Sequence, residues 1–82
     1  MLKVKNVKAL DDYILFIEFS NGQSGYFDVK PYLDKGVFKA LKDVKYFKQV
    51  RPLFSGISWP DEQDFSADKL AYEMYQKEAL AS

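Results

Sequence analysis

The chain contains neither histidine nor cysteine. The first absence removes the usual general base and the commonest metal ligand. The second removes thiolate nucleophiles, disulfides and thiolate metal sites. Serines stand at positions 20, 24, 55, 58, 66 and 82, but no His serves them and no Ser-Lys spacing supports a nucleophile. Glycines number only 4 and form neither G-x-G-x-x-G nor a P-loop. Excess charge is also missing, because 12 basic residues balance 12 acidic ones. That is not the electrostatic footprint of a DNA-binding domain, and DNA binding by this chain alone is not expected. No apolar run is long enough to span a bilayer, and no N-terminal stretch has signal-peptide character. A cytoplasmic, non-membrane location is therefore expected by default. The residue chemistry argues against an enzyme and calls for no cofactor and no metal.

What is present is aromatic. The 82 residues include 7 Phe, 6 Tyr and 1 Trp. The length suits one domain, residues 1–82. A domain this small buries only roughly 60–65% of its unfolded surface, so each large ring matters. With no disulfide to staple it, association is the remaining common device, and a homodimer is one form of it.

The clearest local signal is a hairpin about Asn21-Gly22. A three-residue loop, Ser20-Asn21-Gly22 with Gly22 left-handed, sets Leu15 opposite Phe27 and Tyr13 opposite Val29. It gathers Tyr13, Leu15, Ile17, Phe19, Phe27 and Val29 on one face, which a one-residue slip would scatter. Ile14, Phe16 and Tyr26 then share the opposite face with Glu18 and Asp28. A fully solvated face does not normally carry three such residues. Cover by the last helix, by a dimer mate or by another protein would each account for them.

Residues 2–10 read as a preceding strand whose apolar parity changes at Lys5-Asn6, the mark of a bulge. Asp11-Asp12 makes the turn after it. Pro31 opens a short helical turn, Gly36 breaks it, and Phe38 and Leu41 share a face of a second one. Asp43 caps a further turn through Phe47. Residues 48–50 and 54–59 read as strands interrupted at Arg51-Pro52, where Pro52 excludes a central position. Ser66 caps a final helix with Asp68 in its first turn and an apolar stripe of Leu70, Ala71, Met74 and Tyr75. The class is α+β: a hairpin-linked antiparallel sheet with short helices and a C-terminal helix.

Two further clusters are candidate sites. Asp61, Glu62, Asp64 and Asp68 lack EF-hand spacing and read as a turn running into a helix N-terminus. Lys39, Lys42, Lys45, Tyr46, Phe47, Lys48 and Arg51 combine base and ring as single-strand nucleic-acid binders do. A small-ligand or nucleic-acid module using residues 39–51 is thus an alternative to a protein-interaction role. Trp59 reads as core.

An ordered set of short stretches carries a resemblance: Leu15-x-Ile17-x-Phe19-x-Asn21-Gly22; Phe27-Asp28-Val29; Gly36-x-Phe38-x-x-Leu41-x-Asp43-x-x-x-Phe47; and Ile57-x-Trp59-x-x-x-x-Asp64-Phe65-x-x-Asp68-x-Leu70. Together they resemble a small bacterial family known as domain of unknown function 2442. The resemblance implies a compact α+β domain without established catalytic residues. It also implies a neighbour-encoded partner: members are commonly described as antitoxins of type II toxin–antitoxin pairs, which block a small protein toxin. Asn21, Gly22, Asp28, Trp59 and Asp64 match the family pattern as structural residues. Two positions depart from it. Glu62 stands where members commonly have Gly, and Ala67 where many have Pro, so residues 60–64 are expected to differ in shape. The expected contact surface is Ile14, Phe16 and Tyr26, extended by Met74 and Tyr75.

Overall fold

Strict alternation in residues 14–19 builds the centre of the first sheet, because successive strand side chains point to opposite faces. The structure, a computed structural model, describes residues 1–81, with side chains as far as Met74. Strand β1 is Val4–Ala9, β2 is Ile14–Phe19 and β3 is Ser24–Asp28, antiparallel in the order β1-β2-β3. Leu15 pairs with Phe27, Phe16 with Tyr26 and Ile17 with Gly25, the register that the three-residue loop requires. The loop closes through Phe19 N–H donating to Gln23 C=O at 2.8 Å, and Gly22 is left-handed at φ +90°. The expected bulge is present, since the β1–β2 register shifts between Val4 and Asn6.

The β1–β2 connection is one residue longer than expected, because Tyr13 belongs to the turn and the strand begins at Ile14. Asp12 and Tyr13 both have positive φ, +61° and +59°, and Ile14 N–H donates back to Asp11 C=O. Two successive left-handed residues fit a type I′ hairpin turn. A bulky residue is uncommon there, and Tyr13 is held by packing: its ring meets Phe47 edge-on at 5.3 Å, and its hydroxyl donates to Lys42 C=O.

Short 3-10 turns follow at Lys30–Tyr32 and Gly36–Lys42, with Leu41 buried in the second. Gly36 begins that turn rather than only ending the one before it. Helix α1, Val44–Phe47, is capped by Asp43, whose carboxylate accepts from Lys45 N–H at 3.0 Å.

The second sheet corrects the expected strand bounds. Strand β4 is Arg51–Leu53 and includes Pro52, β5 is Gly56–Ser58, and β6 is Asp64–Phe65, in the order β4-β5-β6. Residues 48–50 lie outside β4. Pro52 is tolerated because β4 is an edge strand in this sheet. Val4 N–H reaches across to Ser55 C=O at 2.8 Å and joins the two sheets. Helix α2, Ala67–Ala81, closes the domain, with Ser66 Oγ accepting from Lys69 N–H at 3.1 Å.

The core lies between the inner sheet faces and α2. Leu15, Ile17, Phe19, Val29, Leu41, Phe47, Ile57, Trp59 and Leu70 are its largest fully buried side chains. Phe65, from a strand of only two residues, is its aromatic hub. Its ring lies 5.0 to 6.1 Å from those of Tyr32, Phe38, Phe27 and Trp59.

Candidate functional site

The outer face of the first sheet follows from the same register. Phe16 pairs with Lys8 on one side and Tyr26 on the other, while Ile14 pairs with Asp28 and Glu18 with Asn6 and Ser24. The Phe16 and Tyr26 rings pack at 5.4 Å with 54° between their planes. Ile14 and Phe16 are half-buried, and Tyr26 is 66% exposed.

Polar groups rim these three residues. Asn6 Nδ2 donates to Glu18 Oε1 at 3.3 Å. Asp28 accepts from Lys30 N–H at 2.9 Å, and Lys30 Nζ pairs with both Asp28 and Asp12 at 3.1 Å. Those carboxylates hold the Lys30 ammonium above its ordinary pKa, the Asp12 hydrogen bond first among the causes. An apolar, aromatic centre with a charged rim is the usual anatomy of a protein–protein contact.

Of the expected contact residues, Ile14, Phe16 and Tyr26 come together, and Met74 does not join them. Met74 is 5% exposed and belongs to the core. It packs beneath Gly25, where an added Cβ would meet its Cε at 2.9 Å. Gly25 pairs with Ile17, an inward residue, so α2 covers the inner face of the sheet. Met74 is thus removed from the surface, and Tyr75 lies outside the described side chains. The described residues leave Tyr26 exposed on the outer face and Ile14 and Phe16 half-buried.

The basic segment is not assembled as a stacking platform. Phe47 is buried, with Tyr13 and Trp59 as ring neighbours. The Tyr46 hydroxyl donates to Gln63 Oε1 at 2.6 Å and accepts from Asp61 N–H at 2.8 Å. Lys42 pairs with Asp34 at 2.7 Å, which holds the Asp34 carboxyl below its usual range, through the hydrogen bond first. Lys39, Lys45, Lys48 and Arg51 are exposed without an exposed ring among residues 39–51. Among the described residues no group of three or more Asp or Glu side chains is placed to hold a metal ion, Asp61, Glu62, Asp64 and Asp68 included.

The pattern residues hold the frame. Asn21 Oδ1 accepts from Gln23 N–H at 3.0 Å beside left-handed Gly22. Asp28 starts the turn at Lys30. Trp59 is buried and donates from Nε1 to Phe47 C=O at 2.9 Å. Asp64 lies in β6 opposite Ser58. Glu62 has φ +76°, the region Gly prefers, so the departure from Gly is carried as backbone strain. Ala67 is the first residue of α2, a position at which Pro is also at home.

One exposed aromatic escapes sequence reasoning. Phe54 reads as the start of a strand, yet it occupies the β4–β5 turn and is 93% exposed. The sequence signal that marks it is Ser55-Gly56, a turn pair directly after it.

The class defined by fold and surface is a small two-sheet α+β domain with a partly exposed aromatic cluster on the first sheet. The family model described as Protein of unknown function (DUF2442) matches residues 4–75, and the chain belongs to that family. No curated protein and no solved structure matches the chain.

Proposed function

We propose that this domain is a non-enzymatic protein-interaction module, the antitoxin-like component of a bacterial, cytoplasmic type II toxin–antitoxin pair. One observation carries the interaction role: exposed Tyr26 and half-buried Ile14 and Phe16 cluster on the face of the sheet opposite the one its own helix packs against. The antitoxin part of the reading rests on the family resemblance. The mechanism is steric. Aromatic anchors enter a pocket of a small protein toxin and exclude water there, while Lys8, Glu18 and Asp28 set orientation at the rim. The test is co-expression with the small protein encoded beside this chain. That neighbour alone should arrest growth, and this chain should restore it. A neighbour that is harmless, or an arrest that this chain leaves unchanged, rules out the antitoxin role.

A further inference from the structure

The β4–β5 hairpin carries a feature that the fold itself does not use. Arg51 pairs with Ser58, Pro52 with Ile57 and Leu53 with Gly56, which leaves a two-residue loop, Phe54-Ser55. Of these two, only Phe54 has positive φ, +53°. Type II′ hairpins place Gly at that first position. A bulky residue is strained there, and a ring that is 93% exposed returns no packing to the fold. The mount is fixed, because Ser55 C=O accepts from Val4 N–H at 2.8 Å.

Beside this ring runs an open trough of about 420 Å³. Gly56 and Ser58, both buried, are among its lining residues. Leu53, Ile57, Asp64, Phe65, Ser66 and Lys69 also line it. A cavity of about 150 Å³ already accepts benzene, so the trough has room for a phenyl ring. Its own Phe54 stands on the rim and out in solvent.

We propose that this hairpin is a self-association site, in which two copies related by a two-fold axis each insert Phe54 into the trough of the other. A ring next to its own receptor trough is a self-complementary patch, which a two-fold interface requires. Zero net charge removes long-range repulsion between copies, and Asp64 and Lys69 in the lining offer one charge of each sign. A Phe contributes roughly 150–250 Å², so the contact falls in the small-interface class and is weak and concentration-dependent. The proposal is independent of the outer face of the first sheet, which this pairing leaves free for a different partner.

Sedimentation equilibrium from about 10 μM to about 1 mM tests it on the wild type and on Phe54→Gly. Gly suits the backbone, so this variant keeps the fold. The wild-type mass should rise toward that of a dimer while Phe54→Gly stays monomeric. Isotope-filtered NMR on a mixed-label sample should place the Phe54 ring against Ser66 and Lys69 of the other copy, with the Phe16 and Tyr26 signals unmoved. A wild type that is monomeric throughout, a variant that associates equally well, or contacts from Phe54 to the first sheet would each overturn the proposal.

Discussion

Gly22 and Glu62 occupy the same position in two like hairpin loops. Each N–H donates back three residues, Gly22 to Phe19 C=O at 3.1 Å and Glu62 to Trp59 C=O at 3.3 Å. In each loop the residue before the turn also donates to a Gln carbonyl beyond it, Phe19 to Gln23 and Trp59 to Gln63. Both residues close a three-residue loop and are left-handed, at φ +90° and +76°. One loop therefore carries the residue the geometry prefers, and the other does not.

Glu62→Gly should stabilise the protein by about 0.5–1 kcal/mol. Relief of left-handed strain, about 1–2 kcal/mol, outweighs the added freedom of the unfolded chain. Gly22→Ala should destabilise by about 1 kcal/mol through strain alone, because nothing lies within 4 Å of its added Cβ. Urea midpoints, read by the fluorescence of the single Trp, check both. An unchanged midpoint for Glu62→Gly would show that no strain is stored there.

Gly25 and Gly56 should respond differently to alanine. A Cβ on Gly25 meets only the flexible end of Met74 at 2.9 Å, whereas one on Gly56 meets Phe65 C=O at 2.1 Å and Ser66 Cα at 3.0 Å. Gly25→Ala should cost below about 1 kcal/mol, and Gly56→Ala about 3 kcal/mol or more, since backbone must move. Equal costs from denaturant titration would contradict this packing of β6 on β5.

Trp59→Phe should cost about 2–4 kcal/mol. It leaves the buried Phe47 carbonyl without its 2.9 Å donor and opens a small void between rings. Near-neutral behaviour in thermal unfolding, followed by circular dichroism, would show that the bond contributes little.

Tyr32 sets an alkaline limit. Its hydroxyl is pushed up from 10.0 to about 12, first by burial and then by its hydrogen bond to the Glu73 carboxylate. The folded state keeps a proton that the unfolded chain releases. The resulting stability is complete below pH 10 and is lost as pH rises toward about 12. Tyr32→Phe should be less stable at pH 8 and flatter between those limits. Parallel slopes for both proteins would contradict the assignment.

The first sheet was legible because its alternation is strict and only one loop length puts Leu15, Ile17, Phe27 and Val29 on one face. The partly exposed cluster opposite them followed from the same arithmetic. The second sheet was harder. Strands of two and three residues carry no period, and Pro52 inside β4 argued locally against the strand that edge pairing permits. Met74 was misplaced because a helical stripe says which residues share a face, not which side of the sheet they cover. Phe54 was hidden because the strand signal of Ile57 and Trp59 extended the expected strand back across the Ser55-Gly56 turn pair.

The central claim is that the outer face formed by Ile14, Phe16 and Tyr26 binds another protein. The most direct measurement is co-purification of the neighbour-encoded protein with the wild type and with Phe16→Glu, alongside urea unfolding of both. Phe16 is half-buried, and Lys8 stands across from it to pair with the new carboxylate. The variant should therefore remain folded, within about 1 kcal/mol of the wild type. The account predicts a stoichiometric complex for the wild type and none for folded Phe16→Glu. An unfolded variant would make this patch part of the core, and a retained complex would move the interface elsewhere; either result contradicts the claim.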